Sequence, residues 1–507
     1  MSKMPVDSHK YPEALKLSFR NIMEPLLVLF NKASSLVLPG KSFYVAYSIP
    51  GGVYGYFIDH HVTGKQIRDI SDTIHSMIRN RHEIGHRILS KDGMLSYFEP
   101  TNRADIVKLL QSVPGSPEEL ADLRLAHVNG FGELLLNNVN ENYDKLSFFR
   151  LFRHQKGFFL IADPDFYERV MPSKIELSKY FKRFEESEET MKHFGIADFA
   201  GLNQVIRDGE LPEFVKLAEA YQARRLSRIA DNILSHPLKP RLIFLAGPTS
   251  SGKTTTANRL AIEFKVLRRE ILILSLDNYY LPHTEIPDDP ATGMKNFEQI
   301  TALDTSLFRQ NIHSLLNGEA IHLPKYHFDG KGPVPQKNTT QIGPDTLIIV
   351  EGIHGLNPEL WKNVMDVDSY RLYVSALTTL NIHDHLPFST SDHRLIRRLV
   401  RDHLFRGYNF NETILRWPDV MQNEYQSIFT FQESAHAIFN SALIYEMAAF
   451  SYYAKKILQA DLAINEQIKE EVKRLNRILA LLTPIDPAGI PPTSILREFI
   501  GGSSFAY

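Results

Sequence analysis

The period of the apolar residues changes from segment to segment along this chain, and the changes mark out elements. Leu242-Ile243-Phe244-Leu245-Ala246 is a continuous apolar run, as a strand buried on both faces requires. After it, Ala257, Leu260, Ala261, Phe264 and Leu267 recur at helical spacing and give one stripe. Residues 271–276, 347–350 and 370–374 are the next strand candidates. Strands alternating with helices predict a parallel sheet wrapped by helices, with ligands at the carboxyl ends of the strands. Earlier, 42–47 and 52–57 alternate well enough for a hairpin across Pro50-Gly51-Gly52. Ile67, Ile70, Ile74 and Ile78 predict a helix, and 158–161 a later strand. This first part reads as α+β. Residues 211–234 read as a helix with Phe214, Leu217, Ala218, Tyr221 and Leu226 on one side, stopped by Pro237 and Pro240. The expected partition is a short extension at 1–20, an accessory domain at 21–200, a helical connector at 201–237 and the parallel-sheet domain at 238–507.

Bulk properties narrow the picture. At 507 residues the chain is too long for one core, and 43% apolar with 23% charged residues describes ordinary globular protein. A net charge of −2 offers no global field for nucleic acid and disfavours it as a partner. With no cysteine, disulfides and thiolate chemistry are excluded, and a reducing compartment fits. No apolar run approaches the length of a membrane span, and residues 1–17 lack a signal-type apolar stretch. A cytoplasmic enzyme with no membrane partner is the expectation.

Between the first strand and its helix lies Gly247-Pro248-Thr249-Ser250-Ser251-Gly252-Lys253-Thr254-Thr255, which fits G-x-x-x-x-G-K-[ST]. Its glycines let successive N–H groups converge on one concavity at the helix start, where phosphate is favoured. Lys253 adds charge for the β- and γ-phosphates, and the Thr254 hydroxyl can ligate Mg²⁺. The loop predicts binding of ATP or GTP. Asp277 and Glu351 each follow a strand candidate. A carboxylate there can hold Mg²⁺ or accept a proton from an attacking hydroxyl. Arg394, Arg397, Arg398 and Arg401 share one helix face with Arg406 beyond, and predict a phosphate-clamping lid. His82-Glu83-Ile84-Gly85-His86 fits the H-E-x-x-H zinc signature. Gly85 weakens the helix such a site needs and arginines crowd it, so an exposed polar turn is expected instead.

These residues resemble the phosphoribulokinase/uridine kinase family of P-loop kinases. The matching pieces are the loop, Ser275-Leu276-Asp277-Asn278-Tyr279-Tyr280, Glu351-Gly352-Ile353-His354-Gly355-Leu356-Asn357, and Arg397-Arg398-Leu399-Val400-Arg401-Asp402 through Arg406-Gly407. Segments 374–378, 439–443 and 495–505 resemble the long bacterial uridine kinase-like proteins that carry a threonyl-tRNA synthetase-like domain in front. The resemblance implies a P-loop kinase domain preceded by that α+β accessory domain, and transfer of the ATP γ-phosphoryl to a nucleoside 5′-hydroxyl with Mg²⁺. It implies Asp277 as general base, Thr254, Glu351 and Asp277 toward Mg²⁺, and Arg398, Arg401 and Arg406 over the phosphates. Tyr326 and Phe328 would stack on the base, with Tyr280 and Arg398 also facing the acceptor. Lys331 stands where the family often has His, and Thr301 where it has the ribose-gripping carboxylate; Glu298 and Asp304 are the nearby acids. The absence of cysteine argues against synthetase-type editing in the accessory half. A sugar-phosphate kinase and an RNA- or tRNA-associated NTPase are the alternatives, and a homo-oligomer is compatible with either.

Overall fold

The computed structural model describes residues 18–49, 51–115, 118–137, 146–162, 178–288, 295–327, 332–361, 368–378, 380–459 and 464–506. The chain forms two compact units. One comprises Met1–Phe214, Thr378–Ile396 and Ile444–Ala488; the other Val215–Leu377, Arg397–Leu443 and Gly489–Tyr507. The sequence reading placed 238–507 in one continuous domain. The folded chain instead sends 378–396 and 444–488 to the first unit, because their polar side chains find their partners there.

In the first unit, strands Phe43–Ile49 and Gly52–Phe57 form the expected antiparallel hairpin, and Gly157–Ile161 and Arg150–His154 extend it to four strands. Phe30 of helix Ser18–Val37 stacks on Phe158, with ring centroids 4.5 Å apart, inside the core this sheet shares with helix Gly64–Arg79. That helix buries Ile67, Ile70, Ile74 and Ile78, the predicted stripe, and Thr63 closes its start with a capping box. A three-stranded sheet holds Gly85–Leu89, Leu123–Val128 and Phe131–Leu135. The expected exposed turn holds only in part: Gly85 and His86 enter this strand and Ile84 is buried, and no cluster of acids and histidines suited to a metal occurs among the described residues.

Segment 378–396 is stitched into this unit by buried polar groups. The Asn381 side chain donates to Val45 O at 2.6 Å, and His385 stacks on Phe43 at 3.7 Å. Arg103 and His385 both engage Glu133, and their charges hold its pKa down to about 2 against the opposing effect of burial. Arg474 of 444–488 grips Asp392 through two hydrogen bonds. None of these pairings follows a sequence period.

The second unit is built on a five-stranded, all-parallel sheet ordered Ala437–Asn440, Ser369–Ser375, Leu242–Ala246, Leu347–Glu351, Ile271–Ser275. One face is covered by helices Leu211–Leu234 and Lys253–Val266, the other by helix Thr305–Leu316. The 201–237 segment is thus more than a connector, since Leu226, Ile229, Ala230 and Ile233 pack on the sheet. Two stripe assignments fail: Leu267 caps its helix and is exposed, and Leu217 is exposed although Phe214, Val215 and Ala218 beside it are buried. Among the described residues no helix is long and apolar enough to cross a membrane.

Candidate functional site

Strand Leu242–Ala246, buried throughout, delivers the chain to the loop at the carboxyl edge of the sheet. Gly247 must lack a side chain, because a Cβ there would lie 2.0 Å from Val374 O. Gly252 has φ 79°, which favours glycine, and its Cα faces Ile495. Ser250, at φ 58°, is a non-glycine residue in the same left-handed region. The hydroxyls of Ser250 and Ser251 are buried without a hydrogen-bond partner. Orphaned donors beside a helix start fit a bound polyanion, as the loop pattern predicts.

Lys253 opens helix Lys253–Val266 and donates to Pro248 O at 3.0 Å. Burial lowers its pKa, and Glu351, Asp277, Glu498 and Glu424 oppose that shift. Strand Ile271–Ser275 ends in a 3₁₀ turn that brings Asp277 to the same place. Ser275 Oγ accepts from the Asp277 N–H at 3.4 Å and donates to Glu351 Oε1 at 2.7 Å, so one hydroxyl ties the two acids together. The surrounding protein raises the Asp277 pKa, with Lys253 and Arg406 pulling it back. Its side chain is exposed to solvent. Burial and then the Asp277 charge push Glu351 up to about 7. Two mutually repelling carboxylates tied through Ser275 are oxygen donors of the kind a hard divalent cation takes.

Helix Thr390–Phe405 divides its arginines by role. Arg394 and Arg397 are almost fully buried, and Arg397 donates to Ser250 O and Ser441 O. Part of the expected lid is therefore a brace for the loop. Arg398, Arg401 and Arg406 converge on Asp402, at 3.1, 2.8 and 3.7 Å. Their fork geometry is thus set before any anion arrives. Asp402 carries this organisation, and a lone acid within a basic motif gave little signal of it.

Of the residues expected near the acceptor, Tyr280 packs against Tyr326 and Phe297, with ring centroids 6.1 and 6.2 Å away, and donates to Phe297 O. Tyr326 is 9% exposed, so its ring is more a pocket wall than a free stacking plate. Phe328 and Lys331 lie outside the described residues. Of the two acids near Thr301, Asp304 caps helix Thr305–Leu316 by accepting from Leu307 N. Glu298 instead faces the site: burial first, then Glu424, raises its pKa to about 7, while Arg398 and Lys253 oppose. Glu424 and Glu498, unforeseen from sequence, reach the loop from 175 and 243 residues away along the chain, and no local pattern marks them.

These shifts have a measurable consequence. Glu351 and Glu298 both hold a proton to about pH 7 in the folded chain, against an ordinary value of 4.5. The folded state then binds more protons than the unfolded one between these limits, and stability falls as pH rises through that window. Thermal unfolding of the chain alone should show this loss, and Glu351→Gln should flatten it. An unchanged slope in that variant would remove Glu351 as its source.

The family model for the phosphoribulokinase/uridine kinase family matches residues 242–447. A uridine kinase of Bacillus pumilus is 31% identical over 184 residues, covering 36% of this chain and 78% of the relative. Uridine kinases of Halalkalibacterium halodurans and Geobacillus kaustophilus are 30% and 32% identical over 184 residues each, with 77% of each relative and 36% of this chain covered.

Proposed function

Because this chain belongs to the phosphoribulokinase/uridine kinase family and is therefore a kinase, we propose that it transfers the γ-phosphoryl of ATP to the 5′-hydroxyl of a nucleoside, uridine in the simplest case. The observation that carries this reading is the convergence of Lys253, Asp277 and Glu351 at the strand ends beside the phosphate loop. In the proposed reaction the acceptor oxygen attacks the γ-phosphorus in line, and its bond to phosphorus forms as the bond to the β-γ bridging oxygen breaks. The acceptor proton passes to the Asp277 carboxylate, and the electron pair of the broken bond stays with ADP. Lys253 and the arginines gathered by Asp402 balance charge on the transferred group, where positioning supplies most of the acceleration. Thr254, Glu351 and Asp277 would hold Mg²⁺, which when bound neutralises phosphate charge. Exclusion of water around the Tyr280–Tyr326 wall favours the alcohol over hydrolysis.

Supporting the nucleoside acceptor are the aromatic wall and Glu298, a carboxylate available to ribose hydroxyls although Thr301 is exposed and offers none. We read the first unit as a non-catalytic scaffold or binding module. A panel of nucleosides, sugars and sugar phosphates with γ-labelled ATP tests the assignment. Label should appear on a pyrimidine nucleoside; label on a sugar phosphate alone would replace the nucleoside reading with the sugar-phosphate one.

A further inference from the structure

Two backbone donors of the phosphate loop, the Thr249 and Thr255 N–H groups, already have protein acceptors. Glu498 accepts from the Thr255 N–H at 3.2 Å and from Thr255 Oγ1 at 2.6 Å. Glu424, which is 1% exposed, accepts from the Thr249 N–H at 2.5 Å. Thr255 is the third residue of helix Lys253–Val266, and the first helical bond runs from Thr256 N to Gly252 O. The Thr255 N–H is thus one of the donors that no helical carbonyl can satisfy, and the helix dipole favours an anionic oxygen there. A phosphate oxygen and the Glu498 carboxylate would compete for the same hydrogen. Both are anions, so sharing is penalised by charge as well as by geometry.

We propose that Glu498 is an autoinhibitory latch: its carboxylate holds a phosphate-oxygen position of the loop and must be displaced by the incoming triphosphate. This rests on the loop being the nucleotide site. The segment bearing Glu498 is firmly seated. Ile495, Leu496 and Phe499 are fully buried, Arg497 bonds Gly501 O, and Phe499 lies under the Arg397 guanidinium at 5.0 Å. Rotation of the Glu498 side chain therefore suffices for release, and the backbone around it stays in place. Lys253 donates to Pro248 O, and the negative charge of Glu498 acts on it together with that of Glu351, Asp277 and Glu424. The functional consequence is a threshold: the kinase engages nucleotide only at concentrations high enough to displace its own acid.

The test measures dissociation constants of the full chain for Mg-ATP, inorganic tripolyphosphate and adenosine by calorimetry. Glu498→Gln retains side-chain size and removes the charge. It should bind both polyphosphates about tenfold tighter, since one anion beside the phosphates is gone, and leave adenosine unchanged. Glu498→Asp, one methylene too short to span both Thr255 donors, is measured beside it in case the glutamine variant does not fold, and should also tighten. Equal or weaker polyphosphate binding by the folded variants, with the unmodified chain still binding, would overturn the latch alone. If neither the unmodified chain nor a folded variant binds polyphosphate, the nucleotide site itself is wrong and the latch falls with it.

Discussion

Replacing Asp277 by asparagine lowers the rate of phosphoryl transfer by about 10²–10⁴-fold and leaves nucleotide affinity little changed. The exchange keeps shape and removes an exposed acid beside Lys253 whose pKa is raised by its surroundings. A raised pKa makes the ionised form a better proton acceptor near neutral pH, at the cost of losing that form as pH falls. The acid limb of the pH–rate profile should therefore lie above the ordinary carboxylate range and disappear in the variant's residual activity. Single-turnover rates with saturating ATP, alongside calorimetric nucleotide binding, make the comparison. Full turnover in Asp277→Asn would remove this residue from the mechanism and leave proton removal to another group.

Lys253→Ala should weaken nucleotide binding and transfer together, with transfer falling by at least about 10²-fold, as expected when a fixed charge on the phosphates is lost. A second effect follows from the same lysine. Its charge lowers the pKa of both Asp277 and Glu351, against burial that raises them. Without it both acids hold their protons to higher pH, so the acid limb of the remaining activity moves upward. A variant with weakened binding but an unshifted limb would show that Lys253 serves the phosphates and does not tune the base. The two substitutions are separable: the first loses rate and keeps affinity, the second loses both.

The locally encoded parts of this molecule were legible in its sequence, because each depends on residues close together in the chain. The loop needs glycine at 247 and 252 for close approach and left-handed backbone, and the strand before it needs an unbroken apolar run. Asp277 and Glu351 were visible as acids at strand ends because a parallel sheet places all such ends on one edge. Helix Gly64–Arg79 and the hairpin 43–57 followed from period and turn residues.

Tertiary structure decided what depends on residues far apart. Arg394 and Arg397 share a helix face with Arg398 and Arg401, yet the first two are almost fully buried, Arg397 as a brace for the loop, while the others gather on Asp402. Glu298 and Asp304 were equivalent by spacing; Glu298 feels the charges of Arg398 and Lys253, whereas Asp304 caps a helix because free helical N–H groups stand in front of it. Glu424 and Glu498 reach the loop, and 378–396 and 444–488 join the first unit, through hydrogen bonds and ion pairs that carry no periodicity. A sequence records the chemistry each residue can offer. Which partner it meets is set by packing of the whole chain, where a buried charge must find its counterpart wherever the fold brings one.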